Sequence, residues 1–236
     1  MVGICVNRNS ANELFEEITT LVMSFGEETQ SRIGKTMHLT NVTLGLHDPR
    51  NNLVNLPYRK TSKKYIKAEL EWYESANPSA DFIKQYAKTW GEIADKDGNV
   101  NSNYGYLMTK KFGFNQFEYC YDKLSKNKHD RQAIIHFKWA QEDFGLDTPC
   151  TSTIQFTIFK DKLYAHTYMR SNDAFWGFCN DIVFFTKLQV DMFERLKKTY
   201  PELKLGTYFH TVGDFHIYEK DWHKIPFVMN GVKWGS

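Results

Sequence analysis

In this 236-residue chain, four groups of side chains have the types and spacing to do chemistry. Glu69 lies within KKYIKAELEWYE. On a helical wheel at about 100° per residue, Tyr65, Ile66, Ala68, Leu70, Trp72 and Tyr73 share one arc, with Glu69 at its centre. Lys63, Lys64, Lys67, Glu71 and Glu74 fall on the opposite side. A carboxyl on the inward face loses hydration, which raises its pKa and suits it to moving protons near neutral pH. The same pattern also describes a structural glutamate paired with a buried arginine. Cys150 follows Pro149 and opens the alternating run TSTIQFTIF, at a strand entrance. A nearby cation there would make it a nucleophile; apolar surroundings would make it a small core filler, the reading given to Cys5, Cys120 and Cys179. The run Met169, Arg170, Ser171, Asn172, Asp173 ends a strand and sets a guanidinium, a hydroxyl, an amide and a carboxylate side by side. Such a set could hold a phosphate or form a polar loop. His210, Asp214 and His216 have a spacing that matches no zinc motif, and Gly213 is expected to break the segment, so no metal is expected. His216 and Tyr218 share strand parity and point the same way, as donors to a sugar would.

Recognisable elements must position these groups. Ser10 with Glu13 forms a capping box ahead of an apolar-periodic stretch ending near Phe25, which predicts a helix. Helices are also predicted over 62–74 and 80–90. From Arg131 onward the segments AIIHF, TIQFTIF, LYAHTYM and TYFHTV are β-branched, aromatic and largely alternating, as sheet strands are. Between them, 181–200 carries Ile182, Phe185, Leu188, Gln189, Met192 and Leu196 at helical spacing, the signature of a long helix packed on the sheet. The class is α+β.

Composition narrows the function. With 30 Lys+Arg against 28 Asp+Glu the net charge is +2, so nothing global draws the chain to nucleic acid or an anionic membrane. No apolar run approaches the roughly 20 residues of a membrane helix. The N-terminus carries no secretory pattern, and the four cysteines are too scattered for a disulfide framework. A cytoplasmic location is expected. No repeat or long linker appears, which predicts one domain over 1–236. The 18 Phe, 13 Tyr and 6 Trp fit a dense core and planar ligands.

The segments AELEWY (68–73), NSNYG (101–105), PCTSTIQF (149–156), MRSNDAFWGFCND (169–181) and VGDFHIY (212–218), in this order, resemble the thymidylate synthase superfamily. The wording ELEWY, NSNYG and MRSND is nearest to its pyrimidine-nucleotide hydroxymethylase branch, the phage-type deoxycytidylate and the cytidylate hydroxymethylases. The resemblance implies one mixed sheet packed with helices and a homodimer formed through the sheet face. It implies Cys150 as the thiolate that adds to C6 of the pyrimidine, Glu69 as a proton relay through water, and 5,10-methylenetetrahydrofolate as co-substrate with no metal. Arg170 and Ser171 would hold the phosphate, and His216 and Tyr218 the ribose hydroxyl. Tyr104, Asp173 and Asn180 would shape the pocket, while Trp90 and Phe178 would stack on the folate. Family dimers lend two arginines to the neighbouring phosphate; the matching positions are Arg131 and Gln132, so one is missing, and Arg32 is the candidate replacement.

Two further departures bear on the chemistry. Thymidylate synthases have Asn where this chain has Asp181. An amide can donate to O4 of uracil and accept from N3–H, whereas a carboxylate can accept from the N4 amino group and protonated N3 of cytosine. Asp181 therefore reads as a cytosine contact; by itself it is also an ordinary helix-start aspartate. Thr151 and Met169 replace the His and Gln of the methylating members, as in the hydroxymethylases. The segment VKWGS (232–236) does not match the closing C-terminus of the synthases. The expected activity is 5-hydroxymethylation of a cytidylate, dCMP ahead of CMP. The alternatives are methylation with release of dihydrofolate, or a nucleotide- or RNA-binding relative without catalysis.

Overall fold

All four strand segments expected after Arg131 enter one mixed sheet. The computed structural model describes residues 2–139, 147–229 and 232–234. In chain order the elements begin with β1 (Val2–Arg8), α1 (Ala11–Phe25), β2 (Glu27–Gln30) and β3 (Lys35–Leu46). The small pair β4 (Asn55–Leu56) and β5 (Arg59–Lys60) precedes α2 (Lys63–Ser75), α3 (Thr89–Ile93), α4 (Tyr104–Thr109) and α5 (Gln116–Lys126). Then come β6 (Ile134–His136), β7 (Thr151–Phe159), β8 (Lys162–Asp173), α6 (Phe178–Leu196) and β9 (Lys204–Tyr218). The chain closes with α7 (Glu219–Trp222), β10 (Phe227–Met229) and β11 (Val232–Trp234).

The main sheet runs β1-β3-β9-β8-β7-β6, with β2 added on β3. β1 pairs with β3, and β8 with β9, in parallel; the other pairs are antiparallel. Alternation along the strands turns Ile154, Phe156, Leu163, Ala165, Met169, Tyr208, His210 and Val212 inward, where they are buried; β8 and β9 pack against α6, β9 also against α1, and Phe156 meets Phe117 of α5. On the opposite face His166 stacks on Phe209 with ring centres 5.1 Å apart, and Tyr164 joins them.

Local signals explain where the helices start. At α1 the Ser10 hydroxyl accepts from the Glu13 amide while the Glu13 carboxylate accepts from the Ser10 amide at 2.9 Å, completing the expected capping box. Caps of this kind contribute about 1 kcal/mol. At α2 the Ser62 hydroxyl accepts from the Tyr65 amide, a cap without the reciprocal half of a box. The helix expected over 80–90 does not form. A single 3₁₀ turn, Ile83–Gln85, and the short α3 stand in its place, because Ile83 is the sole buried residue of the turn and α3 buries none, leaving no apolar stripe to hold a longer helix. The long helix α6 starts and ends a few residues earlier than expected, which puts Asp181 in its first turn.

Two smaller expectations are corrected. Cys5 is exposed on the β1 edge strand, not buried. Gly213 does not interrupt β9. The strand passes through it, and a side chain there would crowd the Arg170 carbonyl and the Tyr168 hydroxyl, so glycine permits close strand approach. Among the described residues no helix is long and apolar enough to cross a membrane.

Candidate active site

α2 carries Glu69 inward, as the wheel predicts; the residue is 4% exposed. Its Oε1 accepts from the Tyr65 hydroxyl at 2.6 Å, and the Trp90 indole donates to that hydroxyl at 2.9 Å. No arginine reaches the carboxyl through any hydrogen bond or ion pair seen among the described residues, so the paired-glutamate alternative is not what the structure shows. Burial pushes Glu69 up to about 8; the Tyr65 hydrogen bond works against the rise and the Asp181 charge adds to it.

α4 brings Tyr104 to the same place. Asn103 caps the helix through the Tyr106 amide and donates to the Asn77 carbonyl. Gly105 lies so close to the backbone of α2 that a Cβ would overlap the Tyr73 carbonyl. A helix-to-helix approach this tight requires glycine, which explains the G of NSNYG. The Tyr104 hydroxyl accepts from Thr151 at 2.9 Å, beside Cys150.

Cys150 is half-buried at the entrance to β7. The segment before it is held from two sides. Asp147 accepts from the Ser102 amide at 2.8 Å, tying it to the α4 loop. Arg170 donates to the carbonyls of Thr148 at 2.9 Å and Pro149 at 3.3 Å, and its guanidinium lies 3.7 Å from the Cys150 sulfur. Burial pushes the thiol up from its ordinary value; the Arg170 charge draws it back down, and Asp181 and Asp147 raise it. Arg170 itself remains exposed, so it can meet a ligand while bracing the cysteine loop.

Asp181 has intermediate exposure, and burial of its carboxyl pushes it up to about 7, against a hydrogen bond from Asn172. Its charge is felt by Glu69, Tyr104 and Cys150, which places these four groups around one centre. Asp173 accepts from the amides of Phe175 and Trp176, fixing the turn between β8 and α6, and its burial pushes it up. Asn180 precedes Asp181 in the first turn of α6, and Ser171 pairs with Asp214 across β8 and β9.

At the far end of the site His216 and His38 both hydrogen-bond Asp214, at 2.8 and 3.1 Å. Tyr218 feels the charges of Asp173 and Cys150 and is hydrogen-bonded by Ser31. Arg32, the residue after Ser31, thus sits in the β2–β3 turn that reaches Tyr218. Arg131 is not drawn into this cluster within the chain: it is exposed, and its carbonyl accepts from Gln155 farther along β7.

Of the two aromatics expected to stack on folate, Trp90 is half-buried and linked to Glu69 through Tyr65. Phe178 is corrected. It is fully buried between His210 and Phe215 in the core and presents no face to a ligand. Val232–Trp234 forms β11, and the last two residues of VKWGS lie outside the described ones.

Sequence reasoning missed Tyr65 as the partner of Glu69, Asp147 as the anchor of the cysteine loop, and a buried polar line behind Asp181. In that line Asn172 donates to Asp181 at 2.8 Å, the other end of its amide meets His210 at 3.0 Å, and His210 meets Tyr208 at 2.9 Å. The available signal was the inward parity of His210 between Tyr208 and Val212; Asn172 falls on the opposite parity to Leu163, Ala165 and Met169, so alternation alone does not turn it inward. His210 therefore belongs to this line and not with Asp214 and His216.

A buried acid, a braced cysteine, an exposed arginine and a carboxylate at a helix start thus share one centre. Deoxycytidylate 5-hydroxymethyltransferase of Enterobacteria phage T2 is 30% identical over 178 residues, covering 71% of this chain and 72% of its own length. The enzymes of the same description from phages T4 and T6 are 30% and 29% identical, each over 69% of this chain and 70% of their own. The family model for thymidylate synthase matches residues 13–230, from within α1 through β10, and the chain belongs to that family of folate-dependent one-carbon transferases.

Proposed function

We propose that this protein transfers a one-carbon unit to C5 of a cytidylate, dCMP in preference to CMP, and completes the product by adding water, giving the 5-hydroxymethyl nucleotide. The observation that carries this reading is Asp181 beside Glu69, Tyr104 and Cys150 with an amide donating to one of its oxygens. A carboxylate held in that way is an acceptor, which suits the N4 amino group of cytosine and opposes O4 of uracil. The names of the phage relatives support the same substrate and the same product.

C5 of a neutral pyrimidine is a poor nucleophile. Cys150 corrects this by forming an S–C6 bond, which moves an electron pair to C5. The Arg170 guanidinium favours the thiolate needed for attack. Methylenetetrahydrofolate supplies the carbon at the oxidation level of formaldehyde, and its release as tetrahydrofolate leaves no hydride transferred. Glu69, with its pKa near 8, is suited to pass protons through water at neutral pH: the C5 proton departs, water adds its hydroxyl to the new carbon, and the S–C6 bond breaks. Arg170 and Ser171 bind the phosphate, and His216 and Tyr218 the sugar. Tyr104, Asp173 and Asn180 line the base pocket, and Trp90 offers the folate its face. In a homodimer built on the Tyr164–His166–Phe209 face, Arg131 serves the neighbouring phosphate, with Arg32 making up for Gln132.

Incubation with CMP, dCMP or dUMP plus methylenetetrahydrofolate, with mass analysis of the nucleotide and absorbance for dihydrofolate, tests the reading. The expected result is a hydroxymethyl cytidylate without dihydrofolate. A methyl product with dihydrofolate would show the alternative chemistry, and no turnover of any substrate would favour a binding protein.

A further inference from the structure

Behind Asp181 the side chains of Asn172, His210 and Tyr208 form a hydrogen-bonded line that no step above uses. Asn172 is 4% exposed, and His210 and Tyr208 are fully buried, so water does not compete for their polar atoms. We propose that Tyr208, His210 and Asn172 are positioning residues that hold Asp181 as a hydrogen-bond acceptor toward the pyrimidine edge and so determine cytosine over uracil; this rests on the cytidylate reading above.

The argument turns on the direction of the bonds. Burial lowers the His210 pKa to about 3, so the ring is neutral and has a single N–H. The Asn172 amide presents its oxygen to Nε2 of His210 at 3.0 Å and its nitrogen to Asp181 at 2.8 Å. The oxygen accepts only if Nε2 carries the proton, and Nδ1 must then accept from the Tyr208 hydroxyl at 2.9 Å. Each group thereby fixes the next: Tyr208 the tautomer, His210 the amide orientation, Asn172 the acceptor state of Asp181. The reverse order is also self-consistent along the line, with Asp181 protonated and donating to a turned amide, but it makes the buried Tyr208 hydroxyl give up the imidazole nitrogen and turn its proton to the Thr167 hydroxyl, a weaker acceptor. The phenol therefore biases the line toward the order that suits cytosine. Loss of that bias lets Asp181 hold a proton toward Asn172; the oxygen facing the base then still accepts, but without the negative charge that favours the N4 amino group and protonated N3 of cytosine, so cytosine loses its advantage over uracil.

Tyr208→Phe removes one oxygen two hydrogen bonds behind the Asn172 amide and changes little volume. The measurement is the ratio of kcat/KM for dCMP to that for dUMP, alongside calorimetric binding of the two nucleotides, with thermal unfolding as a check on the fold. The expected result is a ratio about ten-fold lower, the scale of one directed hydrogen bond. His210→Met should lower it likewise. His210→Gln, whose amide can still donate to Asn172, should restore it. A purely structural role would lower stability and both substrates together, leaving the ratio unchanged. A folded Tyr208→Phe protein with the unaltered ratio overturns the proposal, even if His210→Met proves too unstable to measure. A wild-type protein without preference for dCMP overturns the cytidylate reading itself and this proposal with it.

Discussion

The hydroxyl of Tyr65 donates to Oε1 of Glu69 at 2.6 Å from one turn earlier on α2, and it in turn accepts from the Trp90 indole at 2.9 Å. This contact is what restrains the rise that burial imposes on the Glu69 pKa. In Tyr65→Phe, burial and the Asp181 charge act without that opposition, so the carboxyl should titrate above its value of about 8. The inflection that Glu69 gives to the pH–rate profile should move upward and kcat should fall about ten-fold. An inflection that stays in place would show that Tyr65 does not tune the acid.

The same burial links Glu69 to stability. Its pKa is near 4.5 when unfolded and about 8 when folded, so between those values the folded protein holds the extra proton. The contribution is fully present below the unfolded value and is lost as pH rises through the folded one. Asp181, pushed up to about 7, acts in the same direction, while His210, pushed down to about 3, acts oppositely below its ordinary value of 6.5. The informative quantity is therefore the difference in melting temperature between wild type and Glu69→Gln across pH. The glutamine variant should gain relative to wild type from pH 4.5 upward and level off above about pH 8, while turnover drops about a hundred-fold. Parallel melting curves would mean that the carboxyl does not titrate as its burial requires.

Cys150 and Arg170 give a chemical test. Because burial raises the thiol, Cys150 in the free protein should react with iodoacetamide more slowly at neutral pH than an unperturbed thiol. Arg170→Leu removes the one cation that draws the thiol down, so alkylation should slow about ten-fold further. The substitution also frees the Thr148 and Pro149 carbonyls and loosens the loop, so the readout is the pH midpoint of the reaction, which looser packing alone would not raise. Cys5 is exposed and will be labelled too, and peptide mapping separates the two sites. A midpoint that falls in Arg170→Leu excludes the guanidinium as the group that activates the sulfur.

What the sequence made legible follows from period and distance. Glu69 could be read because a helical wheel reports burial from near neighbours alone, and the Ser10–Glu13 cap because its partners lie one turn apart. The helix over 80–90 could not, since nothing local shows that Ile83 alone finds cover there. Phe178 was misread from its place in a motif, although Phe178, Ile182, Phe185, Gln189, Met192 and Leu196 form one buried stripe on α6, which was the stronger signal. The line from Tyr208 to Asp181 joins β9, β8 and α6. Its two halves, Tyr208 with His210 and Asn172 with Asp181, are far apart in sequence, and the side-by-side packing of parallel β8 and β9 brings them together.

The base-reading role of Asp181 admits a direct exchange of chemistry at nearly constant shape. In Asp181→Asn the new amide can donate to O4 of uracil and accept from N3–H, while it sets a donor against the N4 amino group of cytosine. Asn172 already donates toward this side chain, which favours the rotamer with the new carbonyl oxygen facing Asn172 and the new amino group free to meet the base. With two mismatched contacts, kcat/KM for dCMP should fall about a hundred-fold, and dUMP should become the better substrate. Such a reversal should leave the chemistry after base recognition unaltered, so any uridylate product should still carry a hydroxymethyl group and release no dihydrofolate. If the variant keeps the wild-type preference for dCMP, the carboxylate does not read the base, and the preference must then come from elsewhere in the pocket.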